Sequence, residues 1–248
     1  MKKLTIASAV LVLGIVSSGF CAKITEPETA PAMSFEGAEK SAVIDAAALK
    51  GKFSDNVRFI CGLDEENSFE VHYFNAKKNE WTDFGGASVK GFADTSFVKS
   101  RGSIGVHRWI AVTPKNAGAY KYTINAFHND LYIYVFPAKS SVDAATKAKA
   151  AIIDPSNLAG KFNDNVAIVN NTKTFSESFT VYGFEDKDGE WSKIGSVTFE
   201  SLKDDKVINT PYEKVSIFKY FAIVPASGKT YTYTTSAANH DLIINAQE

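Results

Sequence analysis

The sequence predicts an all-β protein made of two tandem antiparallel β-sandwiches, immunoglobulin-like or jelly-roll in type, that arose by internal duplication. Three observations predict it. The sixteen residues 42–57 (AVIDAAALKGKFSDNV) recur at 151–166 (AIIDPSNLAGKFNDNV) with ten identities and no gap. Within each copy, apolar and polar residues alternate with period two over short runs, which is the pattern of half-buried strands. Aromatic residues make up 12% of the chain and are interleaved with Thr and Val, a composition that favours strands.

The chain opens on an address. Met1-Lys2-Lys3 gives a positive start, Leu4 to Val16 is an apolar run short for a membrane span, and small residues follow at Ser17-Ser18-Gly19. Residues 1–22 are read as a signal peptide, so the product is expected in the periplasm, on the cell surface or secreted. Cys21 is a candidate lipid anchor, but Phe20 directly before it departs from the small residue such a site prefers. With Cys21 removed, Cys61 remains alone and is expected to be a small buried hydrophobe. Residues 23–41 are rich in Glu, Pro and Ala and read as a flexible spacer. No later segment is long and apolar enough for a transmembrane helix.

The first sandwich is expected at 42–138, the second at 151–248, with a short linker at 139–150. Beyond the repeated block, Ser68 to Trp81 matches Ser178 to Trp191, and Arg108 to Leu131 matches Lys219 to Leu242. The offset grows from 109 to 110 to 111 residues, as loop insertions would make it. Each block itself reads as a domain-start marker. Leu49, Phe53 and Val57 fill core, Gly51 and Gly160 suit a positive φ, and Asp55-Asn56 and Asp164-Asn165 cap a turn. In Tyr120 to Ala126, Tyr120, Tyr122, Ile124 and Ala126 fall on one face and Lys121, Thr123 and Asn125 on the other.

Function is less legible. A net charge of −1 gives no footprint for nucleic acid. There is no GxSxG, HExxH, CxxC or P-loop, and the four histidines lack metal-ligand spacing, so no catalytic residue, metal or cofactor is assigned. His128, Asp130, His240 and Asp241 gather His, Asn and Asp at the turn before each last strand; they are weak ligand candidates, with hairpin capping the plainer role. Trp81 and Trp191 are sugar-stacking candidates, with core anchoring the plainer role. Lys99, Arg101, His107 and Arg108 form a modest basic patch. The sharpest feature is an asymmetry. In Leu131 to Phe136, alternation sets Tyr132, Tyr134 and Phe136 in an aromatic stripe that the second copy lacks, and such a stripe marks a contact, either with the second domain or with a partner. The expected function is that of an exported, non-enzymatic cell-envelope protein binding a protein or glycan. A structural envelope protein and an envelope polysaccharide hydrolase or its accessory are the alternatives.

Overall fold

A computed structural model describes residues 26–98, 103–138, 149–174, 176–185 and 190–248. The expected signal peptide, Cys21, Lys99, Arg101 and residues 139–148 of the expected linker lie outside the described residues. The fold is all-β, with four four-stranded sheets forming two sandwiches. The first contains β1 (Ala42–Asp45), β2 (Phe53–Cys61), β3 (Asn67–Asn75), β4 (Glu80–Val89), β5 (Thr95–Phe97), β6 (Trp109–Pro114), β7 (Tyr120–Phe127) and β8 (Asn129–Pro137). Its sheets have the orders β1-β6-β3-β4 and β5-β2-β8-β7.

The second contains β9 (Ala151–Ile153), β10 (Val166–Asn171), β11 (Glu177–Glu185), β12 (Glu190–Phe199), β13 (Asp204–Val207), β14 (Tyr220–Pro225), β15 (Thr232–Ala238) and β16 (Asp241–Gln247). Its pairing repeats that of the first strand for strand, down to a β-bulge after Val71 in one and after Val181 in the other.

Sequence alternation becomes burial directly. In β8, Leu131, Ile133 and Val135 are fully buried while Tyr132 and Tyr134 face outward. Phe59 joins them from the neighbouring strand β2, and Phe69, Val71, Ile110 and Val112 meet them from the facing sheet. The second core is built likewise around Phe179, Val181, Ile168, Phe221 and Ile244. Cys61 is fully buried, and burial pushes its thiol pKa up.

Each sandwich has one parallel pair, β2 with β8 and β10 with β16, where an antiparallel fold was expected. The chain changes sheets repeatedly between those strands, so the two arrive pointing the same way. The repeated block contributes a 3₁₀ turn at Ala47–Leu49 and then the start of β2, with Phe53 and Val57 buried and Leu49 packed at the core's rim. Gly51 and Gly160 adopt φ of 80° and 76°, where a side chain would strain the backbone. Asn56 does not cap its own turn. Its amide donates to Asp130 at 2.9 Å, and Asn165 does the same to Asp241 at 2.9 Å, so each ties its strand to the start of the parallel neighbour.

Residues 26–41, expected to be a spacer, lie as a strap across the outer face of β1-β6-β3-β4. The indoles of Trp109 and Trp81 donate to the carbonyls of Pro27 (2.9 Å) and Ala32 (3.0 Å). Phe35 stacks on His72 with ring centroids 4.0 Å apart, and Ser41 bonds Thr113 at 2.6 Å. The physical reason is an outer face too aromatic to leave wet: Trp109 and Phe74 are buried although both point away from the core.

Candidate functional site

The outward side of β5-β2-β8-β7 carries the stripe and widens it. Cross-strand pairing places Asn125 opposite Tyr132 and Thr123 opposite Tyr134 on one side, and Arg58 and Ile60 opposite the same two tyrosines on the other. Phe97 lies opposite Arg58. Tyr132 and Tyr134 stand with ring centroids 6.4 Å apart and planes 28° from parallel, so they present a nearly continuous aromatic surface. Phe97 and Phe127 are about half exposed, and Phe127 meets Tyr132 edge-on at 6.3 Å.

Arg58 organises this surface. Its guanidinium sits 3.5 Å from the Phe97 ring centroid and 5.7 Å from that of Tyr132, and its Nε donates to Asp130 at 2.7 Å. Asp130 is buried, which raises its pKa, but hydrogen bonds from Arg58 and Asn56 outweigh burial and leave it below the usual carboxylate value. It therefore holds Arg58 flat beneath the rings rather than capping the hairpin. His128 and Asn129 form a two-residue turn, both at positive φ (47° and 69°), as a type I′ hairpin requires. Asn239 and His240 do the same in the second sandwich (51° and 67°). The two histidines are thus turn residues. His128 adds a ring contact with Phe127 at 3.9 Å, and the carbonyl of His240 accepts from the backbone N–H groups of Asn163 and Asp164.

Phe136 leaves the stripe. It is 4% exposed and stacks on Tyr212 of the second sandwich, with centroids 4.7 Å apart and planes 14° from parallel. Gly62 makes room, since a Cβ there would lie 2.4 Å from the Phe136 ring. Lys193, bonded to Asp64 and set 4.7 Å from the Phe92 ring, adds a second contact across the seam. Beside the stack opens a cleft of about 330 Å³ lined by Thr123, Asn125, Tyr134, Glu185, Tyr212 and Glu213, among others. Burial, with Glu213 nearby, pushes the Tyr134 hydroxyl up to about 12; burial takes Tyr212 to about 12 as well. Both hydroxyls stay protonated and able to donate at any physiological pH.

The other candidates are placed differently. Trp81 is engaged by the strap, and Trp191 packs against Phe184 at 5.3 Å on the matching outer face of the second sandwich; neither enters a core. Arg108 makes a bidentate pair with Asp45 (3.0 and 2.7 Å) and His107 stacks on Tyr73 at 3.9 Å, so these two are structural rather than members of a solvated basic patch. Arg58, Phe97 and Phe127 escaped the sequence reading; only the alternation of Val57 to Cys61, which turns Arg58 outward, hinted at one of them. In the second sandwich the corresponding positions are Ala167, Val207 and Ala238, so the platform belongs to the first alone. The chain matches no family model, no curated protein and no solved structure.

Proposed function

We propose that this is an exported, non-enzymatic cell-envelope protein that binds a glycan on the outer face of β5-β2-β8-β7, from the Phe97–Arg58–Tyr132 row into the cleft at the seam. The observation that carries the reading is the outward-facing, half-buried Tyr132–Tyr134 surface bordered by amide, hydroxyl and carboxylate side chains. Sugar rings offer one apolar face and a rim of hydroxyls, and rings alternating with Asn125, Thr123, Glu185 and Glu213 answer both. A protein partner would be better matched by a larger, drier apolar centre than this one.

The test is retention of the purified protein on soluble envelope polysaccharides in affinity electrophoresis, backed by a glycan array. Tyr132→Ala and Tyr134→Ala are each expected to weaken binding about tenfold, a loss of about 1.4 kcal/mol. Retention by both variants equal to wild type sinks the proposal. A second reading has one specific support: Glu185 and Glu213 line the same cleft, as a glycoside hydrolase needs of two carboxylates. Release of reducing ends from a retained polysaccharide, lost in Glu213→Gln, would replace binding by hydrolysis.

A further inference from the structure

An edge strand exposes a row of unpaired backbone donors and acceptors, and proteins usually blunt it by shortness, charge, proline or a bulge. Among the described residues the four sheets have eight edges: β1, β4, β5 and β7 in the first sandwich, β9, β12, β13 and β15 in the second. Seven are blunted. β1, β5, β9 and β13 are three or four residues long, and β13 reads Asp-Asp-Lys-Val. The registers of β4 and β12 slip by one residue at Phe84 and Ile194, the bulges opposite Val71 and Val181. β7 carries Lys121 and borders the cleft against the second sandwich.

β15 is the exception. It spans seven residues, Thr-Tyr-Thr-Thr-Ser-Ala-Ala, with no charge, proline or bulge, and pairs with β16 continuously from Thr232 to Ala238. Its other side has no strand partner among the described residues. We propose that β15 pairs antiparallel with β15 of a second copy of this chain, joining two β13-β10-β16-β15 sheets into one of eight strands. The sequence is self-complementary about Thr235. A twofold axis there sets Thr234 opposite Ser236 on the exposed face and large Tyr233 opposite small Ala237 on the core side. That matches hydroxyl with hydroxyl and bulk with space in a single register.

Sedimentation velocity over about three decades of concentration, starting near about 1 μM because a single strand pair buries less area than a standard interface, is expected to show a doubling of mass. Thr234→Lys with Ser236→Lys should hold the protein monomeric, with unchanged circular dichroism and, at concentrations where the wild type is itself monomeric, an unchanged melting temperature. A wild type that stays monomeric throughout, or a doubling that survives the two lysines, overturns the proposal. The register is read independently with Cys21→Ala in the background, since Cys61 is fully buried. Thr234→Cys mixed with Ser236→Cys should cross-link on oxidation, and neither alone should, because the diagonal separation of about 7–8 Å exceeds what a disulfide spans. Cross-linking of the single variants as strong as that of the mixture, or none in the mixture, is equally fatal to it.

Discussion

Asn67 and Glu177 occupy the same corner of the two sandwiches and do the same work with different chemistry. Asn67 accepts from the backbone N–H of Ser68 and Asn116 and donates to the Tyr120 hydroxyl at 2.9 Å. Glu177 accepts from Ser178 and Ser227 and from the Tyr231 hydroxyl at 2.6 Å. Burial raises the pKa of Glu177, and its hydrogen bonds more than reverse that, so it lies below the usual value. A carboxyl with a depressed folded pKa contributes stability above its unfolded pKa, about 4.3, and loses it as pH falls through the folded one. The melting temperature is therefore expected to drop as pH falls below about 4.3, and Glu177→Gln, which imitates Asn67, should flatten that drop. Calorimetry from pH 6 to pH 3 checks it. Nothing in the sequence announced this pair, because its partners come from loops about fifty residues away. The reading of Asp55-Asn56 as a turn cap failed for the same cause: the residue types suited a local bond, and the fold supplied a distant one.

The strap is the element whose behaviour sequence composition concealed. Pro, Glu and Ala suggest a loose segment, yet Phe35 and two carbonyls find aromatic partners that only the assembled sheet presents. His72 lies beneath Phe35, 9% exposed, with its Nδ1 lacking a hydrogen-bond partner. Burial lowers its pKa, opposed by the charges of Asp83 and Glu70. A histidine buried neutral contributes stability above its unfolded pKa, about 6.5, and loses it as pH falls through the lower folded value. Acidification towards about pH 5 is therefore expected to loosen the strap. Fluorescence of Trp81 and Trp109, the two indoles bonded to the strap, in a Trp191→Phe background should red-shift over that range, and His72→Phe should abolish the response; Phe35→Ala should show the shift already at pH 7. β8 is the opposite case. Its stripe was readable because strict alternation decides which side chains face out once one face is buried. The widening by Arg58, Phe97 and Phe127 was not, since it depends on which strands lie side by side.

At the level of the molecule, period two and the repeated landmarks made the two sandwiches legible, while sheet order and the parallel pairs were beyond any local pattern. The sandwiches meet through Phe136 on Tyr212, an aromatic stack that also forms one wall of the cleft. Truncating Phe136 removes the stack and leaves a void beside Gly62. Phe136→Ala is expected to cost about 3 kcal/mol and to split thermal unfolding into two transitions, one per sandwich. A single transition at the wild-type temperature in differential scanning calorimetry would show that the seam contributes little. The parallel pairing carries a consequence for how the chain acquires its structure. β2 and β8 are joined by a bond between residues 74 apart, and β10 and β16 by one between residues 76 apart. Closing such long loops precedes any reward from the contacts they bring, so these sheets are slow to complete. As the chain lengthens, β2 must wait, unpaired on that side, until the last hairpin of its sandwich emerges. The aromatic platform thus comes into being only at the final step of that sandwich's folding, and its appearance is a clock for the arrival of the native state.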